Sequence, residues 1–166
     1  MKIEKELKGL AKSFTFAFRG IKNCVLSERN MRIHLVVTVF LLVFSAFYDF
    51  SKIEYILLFL AISSVIACEM MNTAVEAVVD MVSPSYSKHA QVAKDIAAGA
   101  VFVSAIFALV VGFFLFYDVK IFVQIFDFFT KNPFLIVALL AAVSIGLIFI
   151  FKGVSSTNKN KYKGKI

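Results

Sequence analysis

Four polar side chains recur at helical spacing in one stretch of the chain. Glu69, Asn72, Glu76 and Asp80 are separated by three, four and four residues, which places them on one face of an α-helix. Neighbouring carboxylates repel each other unless a positive charge lies between them. Mg²⁺ is usually held by one or two carboxylates and completes its coordination with water and substrate phosphates. The pattern therefore predicts a site for a divalent cation and a phosphate-bearing substrate.

A simpler interpretation of the same residues also exists. Polar side chains of this kind occur at solvated helix ends, and Lys94 or Arg32 could neutralise the carboxylates as ion pairs. For a single acidic residue this would be the better explanation. Four such residues on one face favour the cation site.

The helix that must carry these residues starts as an apolar run. A helix from Ile53 to Val82 contains 30 residues and is about 45 Å long, which exceeds the hydrocarbon thickness of a bilayer. Its last third should therefore emerge among the cytoplasmic headgroups. The polar face would then lie at the boundary between lipid and water.

The composition indicates an integral membrane protein. Of the 166 residues, 60% are hydrophobic and 17% are charged, and the mean hydropathy is +0.86, which is too apolar for a soluble domain. The net charge of +7 comes from basic residues that flank apolar runs. Anionic lipid headgroups, and not nucleic acid, are therefore the expected partner. Cys24 and Cys68 predict neither a disulfide nor a metal site, and we expect no cleavable signal peptide.

Four apolar stretches approach the roughly 20 residues that a membrane-crossing helix needs. They are Ile33 to Phe50, Ile53 to about Cys68, Ile96 to Tyr117, and Pro133 to Phe151. With four crossings, 15 of the 18 Lys and Arg residues fall on one side of the membrane. Because cytoplasmic loops carry the excess of positive charge, this predicts a multi-pass protein of the cell membrane with both termini in the cytoplasm.

A basic amphipathic helix is predicted before the first crossing. Its apolar stripe and its basic stripe follow different faces, as expected for a helix lying in the plane of the membrane surface. The apolar stripe consists of Leu7, Leu10, Ala11, Phe14, Phe18, Ile21 and Val25. The predicted fold class is an all-α integral membrane protein with this N-terminal surface helix plus transmembrane helices. Thr157 to Ile166 is predicted to be a basic disordered tail.

Three sequence blocks resemble a known family. The run from Glu69 to Asp80, EMMNTAVEAVVD, resembles the signature E-x-x-N-[ST]-A-[IV]-E-x-x-V-D of the prokaryotic diacylglycerol kinases. Ala93, Lys94 and Asp95, followed by small residues, are similar to the A-K-D segment of that family. The run from Glu28 to His34, ERNMRIH, resembles the E-R-N-x-x-x-H stretch of the Gram-positive branch, whose members favour undecaprenol.

The resemblance implies an activity and an assembly. It implies a membrane lipid kinase that transfers the γ-phosphate of ATP to a lipid hydroxyl with the help of Mg²⁺, and a homotrimer with active sites between subunits. Residues 1–118 would form the kinase unit, with the surface helix and three crossings. Residues 119–166 would add a fourth crossing and the tail, which the family usually lacks.

The resemblance also implies roles for individual residues. Glu69 would be the general base toward the lipid hydroxyl, and Glu28 and Glu76 would hold the divalent ion that accompanies ATP. The remaining expected site residues are Asn72 and Asp80, which shape the site; Lys94, which meets the phosphates; and Asp95, Ser85, Tyr86 and Ser87, which contact the nucleotide.

Some features depart from the family pattern or leave alternatives open. The surface helix has Gly9 and Phe16 where the family often has Arg and Tyr. His34 and His89 each stand alone, so structural or headgroup-facing roles are expected for them. The substrate could be undecaprenol, which is favoured, or diacylglycerol. The alternative of another class is a small cation-passing transporter, because acidic residues in membrane helices are typical of such proteins.

Overall fold

The computed structural model describes residues 2–83, 85 and 87–152, with side chains from residue 6 onward. All regular secondary structure in these ranges is α-helical. The six helices are α1 (Lys2–Ser27), α2 (Arg29–Ser45), α3 (Lys52–Val82), α4 (Lys88–Phe116), α5 (Val119–Lys131) and α6 (Pro133–Phe151). The predicted basic tail and Tyr86 lie outside the described residues.

Local capping chemistry fixes several of the helix boundaries. Glu28 separates α1 from α2 because its backbone is extended, with φ −104° and ψ 124°. Ser51 and Glu54 form a capping box at the start of α3, in which each side chain bonds the backbone N–H of the other residue. From there α3 continues without a break to Val82, so the long helix predicted from the sequence is confirmed.

The predicted surface helix is confirmed as a helix, with most of its side chains exposed. Lys12 and Arg19 both lie over the ring of Phe16, at 5.6 and 5.7 Å from its centre. The aromatic position in which the family often has Tyr is therefore occupied by a ring that binds two cations of its own helix.

Helix α5 was not predicted. Asp118 caps its first turn by accepting hydrogen bonds from the N–H groups of Lys120 and Ile121. Polar residues recur along one of its faces, and an ion pair between Lys131 and Asp127 closes its last turn. Pro133 then opens α6 at a position where a missing N–H costs nothing. The pattern of a short amphipathic helix was present in the sequence, but the segment was interpreted as a connection.

Three of the described helices are long and apolar enough to cross a membrane: α3, α4 and α6. The predicted first crossing, Ile33 to Phe50, needs a correction, because α2 ends at Ser45 and has 17 residues. A helix of that length spans about 25 Å, just short of a typical hydrocarbon core. A crossing by α2, and with it the count of four, therefore stays a prediction.

Helix α2 occupies the centre of the packing. The long helices α3 and α4 pack against each other over most of their length, and α2 lies between α3 and α6. The end of α1 contacts both α2 and α3. The few buried apolar side chains include Met31 on α2 and Leu58 and Val65 on α3. The polar end of α3 is thus brought against the turn between α1 and α2.

Candidate active site at the junction of α1, α2 and α3

Glu69 is the most deeply buried acidic residue of the described chain. It lies on α3 with 2% of its surface exposed, and its carboxylate lies within electrostatic range of Glu28 and Glu76. The amide of Asn30 interacts with the same carboxylate, and Nε2 of His34 lies 3.5 Å from its Oε1 atom. The charges of one carboxylate from the α1–α2 turn and of a second one from α3 therefore both act on Glu69.

Asn72 and Glu76 are joined on the same face of α3. Nδ2 of Asn72 donates a hydrogen bond of 2.9 Å to Oε1 of Glu76. This hydrogen bond and the electrostatic effect of Glu76 on Glu69 confirm that the polar residues from 69 to 76 lie on one face of α3, and Glu69 on that face lies within electrostatic range of Glu28 in the α1–α2 turn. The amide holds the Glu76 carboxylate in one orientation, four residues along the helix.

The donor set was tested against the divalent ion that the resemblance implies. Oε1 of Glu69 and Oδ1 of Asn72 are buried oxygens without a hydrogen-bond partner among the described residues, and a buried acceptor of this kind is costly unless something binds it. Within the same residues, no three His, Cys, Asp or Glu side chains converge around a single point. The chemistry fits Mg²⁺, which takes oxygen ligands and needs only one or two carboxylates when phosphates supply the rest.

Cys24 links the end of α1 to α3 by a hydrogen bond. Its thiol is 4% exposed and lies 3.3 Å from Oγ1 of Thr73, whose hydroxyl in turn donates to the Glu69 carbonyl. Burial raises the pKa of the Cys24 thiol, the Thr73 hydrogen bond opposes this shift, and the charges of Glu28 and Glu69 add to it. The thiol is therefore a protonated, packed group at neutral pH and has a structural position beside the carboxylates.

Arg32 has no carboxylate partner among the described side chains. It is 6% exposed and donates hydrogen bonds to three backbone carbonyl oxygens, those of Val25 (3.0 Å), Leu26 (3.2 Å) and Ile150 (3.1 Å). The simpler interpretation in which Arg32 neutralises the acidic face is therefore wrong. Its charge is directed to the carboxyl ends of α1 and α6, where the helix dipole favours a cation.

The simpler interpretation is right for Asp80. Nζ of Lys94 lies 2.5 Å from Oδ1 of Asp80, and both side chains are partly or largely exposed, at 36% and 69%. The ammonium of Lys94 also lies within electrostatic range of Glu76. Lys94, which belongs to α4, thus places a positive charge at the water-facing end of the acidic face of α3.

Three of the expected nucleotide residues lie outside this cluster. Asp95 is exposed on α4. Ser85 and Ser87 lie in the α3–α4 connection, where the Ser85 carbonyl accepts from the Ser83 hydroxyl. No hydrogen bond or ion pair in the described part of the chain links these three to the carboxylates. Tyr86 is not among the described residues.

Sequence reasoning missed two contacts of Glu69. From the sequence, Asn30 and His34 were identified only as members of the block from Glu28 to His34, and His34 was expected to have a structural or headgroup-facing role. Their spacing of four residues places both on one face of α2, which was the available signal. This spacing could be interpreted only with the knowledge that this face of α2 packs on Glu69.

Comparison with known proteins now adds to this geometry. A profile of the prokaryotic diacylglycerol kinase family matches residues 15–116, which is more than half of the chain. The chain belongs to this family. It is therefore a membrane lipid kinase, and the transporter alternative is set aside.

Individual relatives agree with this assignment. The chain is 36% identical to the undecaprenol kinase of Bacillus subtilis over 111 residues, covering 67% of this chain and 90% of that protein. It is 39% identical to a diacylglycerol kinase of Synechocystis over 101 residues, covering 60% of this chain and 58% of that protein. The diacylglycerol kinase of Escherichia coli K12 is 27% identical over 101 residues, which is 61% of this chain and 83% of that protein. In this kinase, α5 and α6 lie beyond the residues that match the family profile.

Proposed function

We propose that this lipid kinase transfers the γ-phosphate of ATP to undecaprenol in a reaction that requires Mg²⁺. One observation carries the proposal: a buried carboxylate, Glu69, lies within electrostatic range of two other carboxylates at the polar end of a membrane helix. Phosphoryl transfer depends mainly on positioning and charge neutralisation, and this cluster supplies both a base and a place for positive charge.

Glu69 is proposed as the general base. It accepts the proton of the lipid hydroxyl while the oxygen attacks the γ-phosphorus and the bond to ADP breaks. His34, whose Nε2 atom lies 3.5 Å from Oε1, and Asn30 flank the carboxylate. The hydroxyl approaches from the membrane, because Glu69 is the member of the acidic face nearest the apolar part of α3.

Glu28 and Glu76 are proposed to hold Mg²⁺ together with the phosphates of ATP. When bound, Mg²⁺ would neutralise charge on the phosphates as the γ-phosphoryl group leaves. Asn72 fixes the direction of the Glu76 carboxylate by its hydrogen bond. The negative charges of Glu28 and Glu76 both act on Glu69, and a cation would offset this repulsion.

The nucleotide is proposed to enter from the aqueous end of α3. Lys94 meets the phosphates from α4, with Asp80 holding its ammonium in place. Asp95 and the connection formed by Ser85, Tyr86 and Ser87 are proposed to contact the nucleotide. These four assignments rest on the family resemblance.

Undecaprenol is proposed over diacylglycerol on two grounds. The block from Glu28 to His34 resembles that of the undecaprenol-using branch, and it now lies in contact with Glu69 through Asn30 and His34. The chain is also 36% identical to an undecaprenol kinase over 90% of that protein, compared with 27% to a diacylglycerol kinase over 83% of that protein. Diacylglycerol remains the second candidate because other relatives bear that name.

The remaining proposals concern assembly and topology. Residues 1–118 form the kinase unit, supported by the family match that ends at residue 116, and 119–166 form an addition. We expect a homotrimer, in which the small residues from Ala97 to Ala100 allow close helix contact. The distribution of basic residues places the termini in the cytoplasm.

Initial rates with labelled ATP test this proposal. The purified protein is placed in vesicles that contain undecaprenol or diacylglycerol, and phosphorylated lipid is measured with and without Mg²⁺. We expect Mg²⁺-dependent product with both lipids and a higher kcat/KM for undecaprenol. A higher value for diacylglycerol would overturn the substrate assignment, and full activity in a metal chelator would overturn the role of the cation.

A further inference from the structure

The carboxyl end of α6 contacts a residue of the block that carries Glu28. Nε of Arg32 donates to the Ile150 carbonyl at 3.1 Å, across 118 positions of the sequence. Arg32 is nearly fully buried. Because α6 lies beyond the matched family region, this contact joins the added helix to the part of the chain that matches the family.

Arg32 holds the turn at Glu28 from both sides. Its backbone N–H donates to the Glu28 carbonyl at 3.4 Å in the first turn of α2. Its guanidinium donates to the carbonyls of Val25 and Leu26 in the last turn of α1. The angle between α1 and α2, and hence the position of the Glu28 carboxylate, depends on where this guanidinium lies.

Close packing of α6 on α2 sets the position of the Ile150 carbonyl. Gly146 lies one helical turn before Ile150 and is buried. A Cβ atom added at Gly146 would lie 3.0 Å from Cγ1 of Val36 and 3.9 Å from the ring of Phe40. Glycine therefore allows α6 to approach α2 closely enough for the hydrogen bond from Arg32 to form.

We propose that α6 is a positioning element of the kinase site and that it acts through Arg32 on Glu28. When α6 is displaced, the buried guanidinium loses an acceptor that it cannot replace with water. The guanidinium then shifts, the end of α1 loosens, and Glu28 moves away from Glu76. This inference rests on the proposed role of Glu28 in holding Mg²⁺ with ATP.

Gly146→Leu is the test variant, and Ala141→Leu is its control. Both place a leucine on α6, but residue 141 is exposed and does not face α2 as Gly146 does. The first measurement is the rate at which Cys24 is alkylated in a Cys68→Ala background. Cys24 is 4% exposed at the end of α1, so it reports loosening there without reference to activity.

Gly146→Leu is expected to increase the rate of Cys24 alkylation about tenfold. It should also raise the Mg²⁺ concentration needed for half-maximal rate about tenfold. A change of about tenfold corresponds to the loss of one hydrogen bond to a charged group. The kcat at saturating Mg²⁺ should change by less than about threefold, because Glu69 is not displaced. Ala141→Leu should match the wild type in all three. A general loss of structure would lower kcat as well.

Arg32→Lys provides the second variant, since lysine keeps the charge but lacks the planar fork that reaches two helix ends. Arg32→Lys should reproduce both effects of Gly146→Leu. In the double variant, the alkylation rate and the Mg²⁺ requirement should not exceed those of the more strongly affected single variant, because the two substitutions act on one contact. Additive effects, or wild-type alkylation and Mg²⁺ dependence in Gly146→Leu, would overturn the inference. An inactive wild-type protein would instead overturn the proposed function, and the alkylation result would still decide the position of α1.

Discussion

Replacing Glu69 by Gln isolates the proposed base from the rest of the site. The side chain is 2% exposed and glutamine has nearly the same shape, so packing against α2 is preserved. The amide oxygen can still meet His34, which lies 3.5 Å from the present carboxylate. What the variant loses is the ability to accept a proton.

The size of the effect follows from that loss. General-base catalysis contributes about 10²- to 10⁴-fold, so kcat for Glu69→Gln should fall by about 10³-fold. ATP binding should change little, because Glu28, Glu76 and Lys94 keep their charges and Asn72 keeps its bond to Glu76. This combination separates a base from a metal ligand.

Two measurements test this prediction. Turnover is followed by transfer of labelled phosphate to lipid in vesicles, and Mg²⁺–ATP binding by titration with a fluorescent ATP analogue. Glu54→Gln is the matched control: it lies on the same helix, is partly exposed, and forms the capping box with Ser51, which glutamine also completes. Unchanged turnover in Glu69→Gln would refute the base role, and loss of nucleotide binding would place Glu69 in the metal site.

Further predictions concern the rest of the site. Asn72→Ala should raise the Mg²⁺ concentration at half-maximal rate by about five- to tenfold, because Glu76 loses its hydrogen bond; an unchanged Mg²⁺ titration would contradict this. Lys94→Met should lower kcat/KM for ATP well below that of Asp80→Asn, because the ammonium, not its partner, is proposed to meet the phosphates; equal losses in initial rates would make the pair structural. Cys24 should be alkylated more slowly than a free cysteine at pH 8, and its rate should still rise above the pH where a free thiol is fully ionised, because its pKa is raised. Mass spectrometry on a Cys68→Ala background measures this, and a free-thiol profile would refute it.

The sequence was informative where structure is local. The spacing from Glu69 to Glu76 determines a common face as soon as the segment is helical. The length of α3 followed from an apolar run continued by helix-forming residues. None of these conclusions needed knowledge of which helices are neighbours.

The parts that could not be predicted depend on packing between distant segments. Nothing in the residues around Arg32 indicates that its guanidinium meets the Ile150 carbonyl, since a backbone acceptor has no sequence signature. The approach of His34 to Glu69 likewise depends on how α2 rotates against α3. The end of α2 at Ser45 was missed because the apolar composition continues past the helix to Phe50.

The exposure of the acidic face changes in order along α3. Glu69 is buried, Glu76 is half-buried, and the Asp80 side chain is 69% exposed, over 11 residues that rise about 16 Å. A kinase with one lipid substrate and one water-soluble substrate needs such an order, because the hydroxyl must lose its proton away from water while the phosphates arrive from it. The same three acidic residues in the reverse order would put the proposed base in water and the proposed cation site in lipid. The direction of α3 relative to the membrane, and not its composition alone, therefore makes this helix suitable for phosphoryl transfer to a lipid.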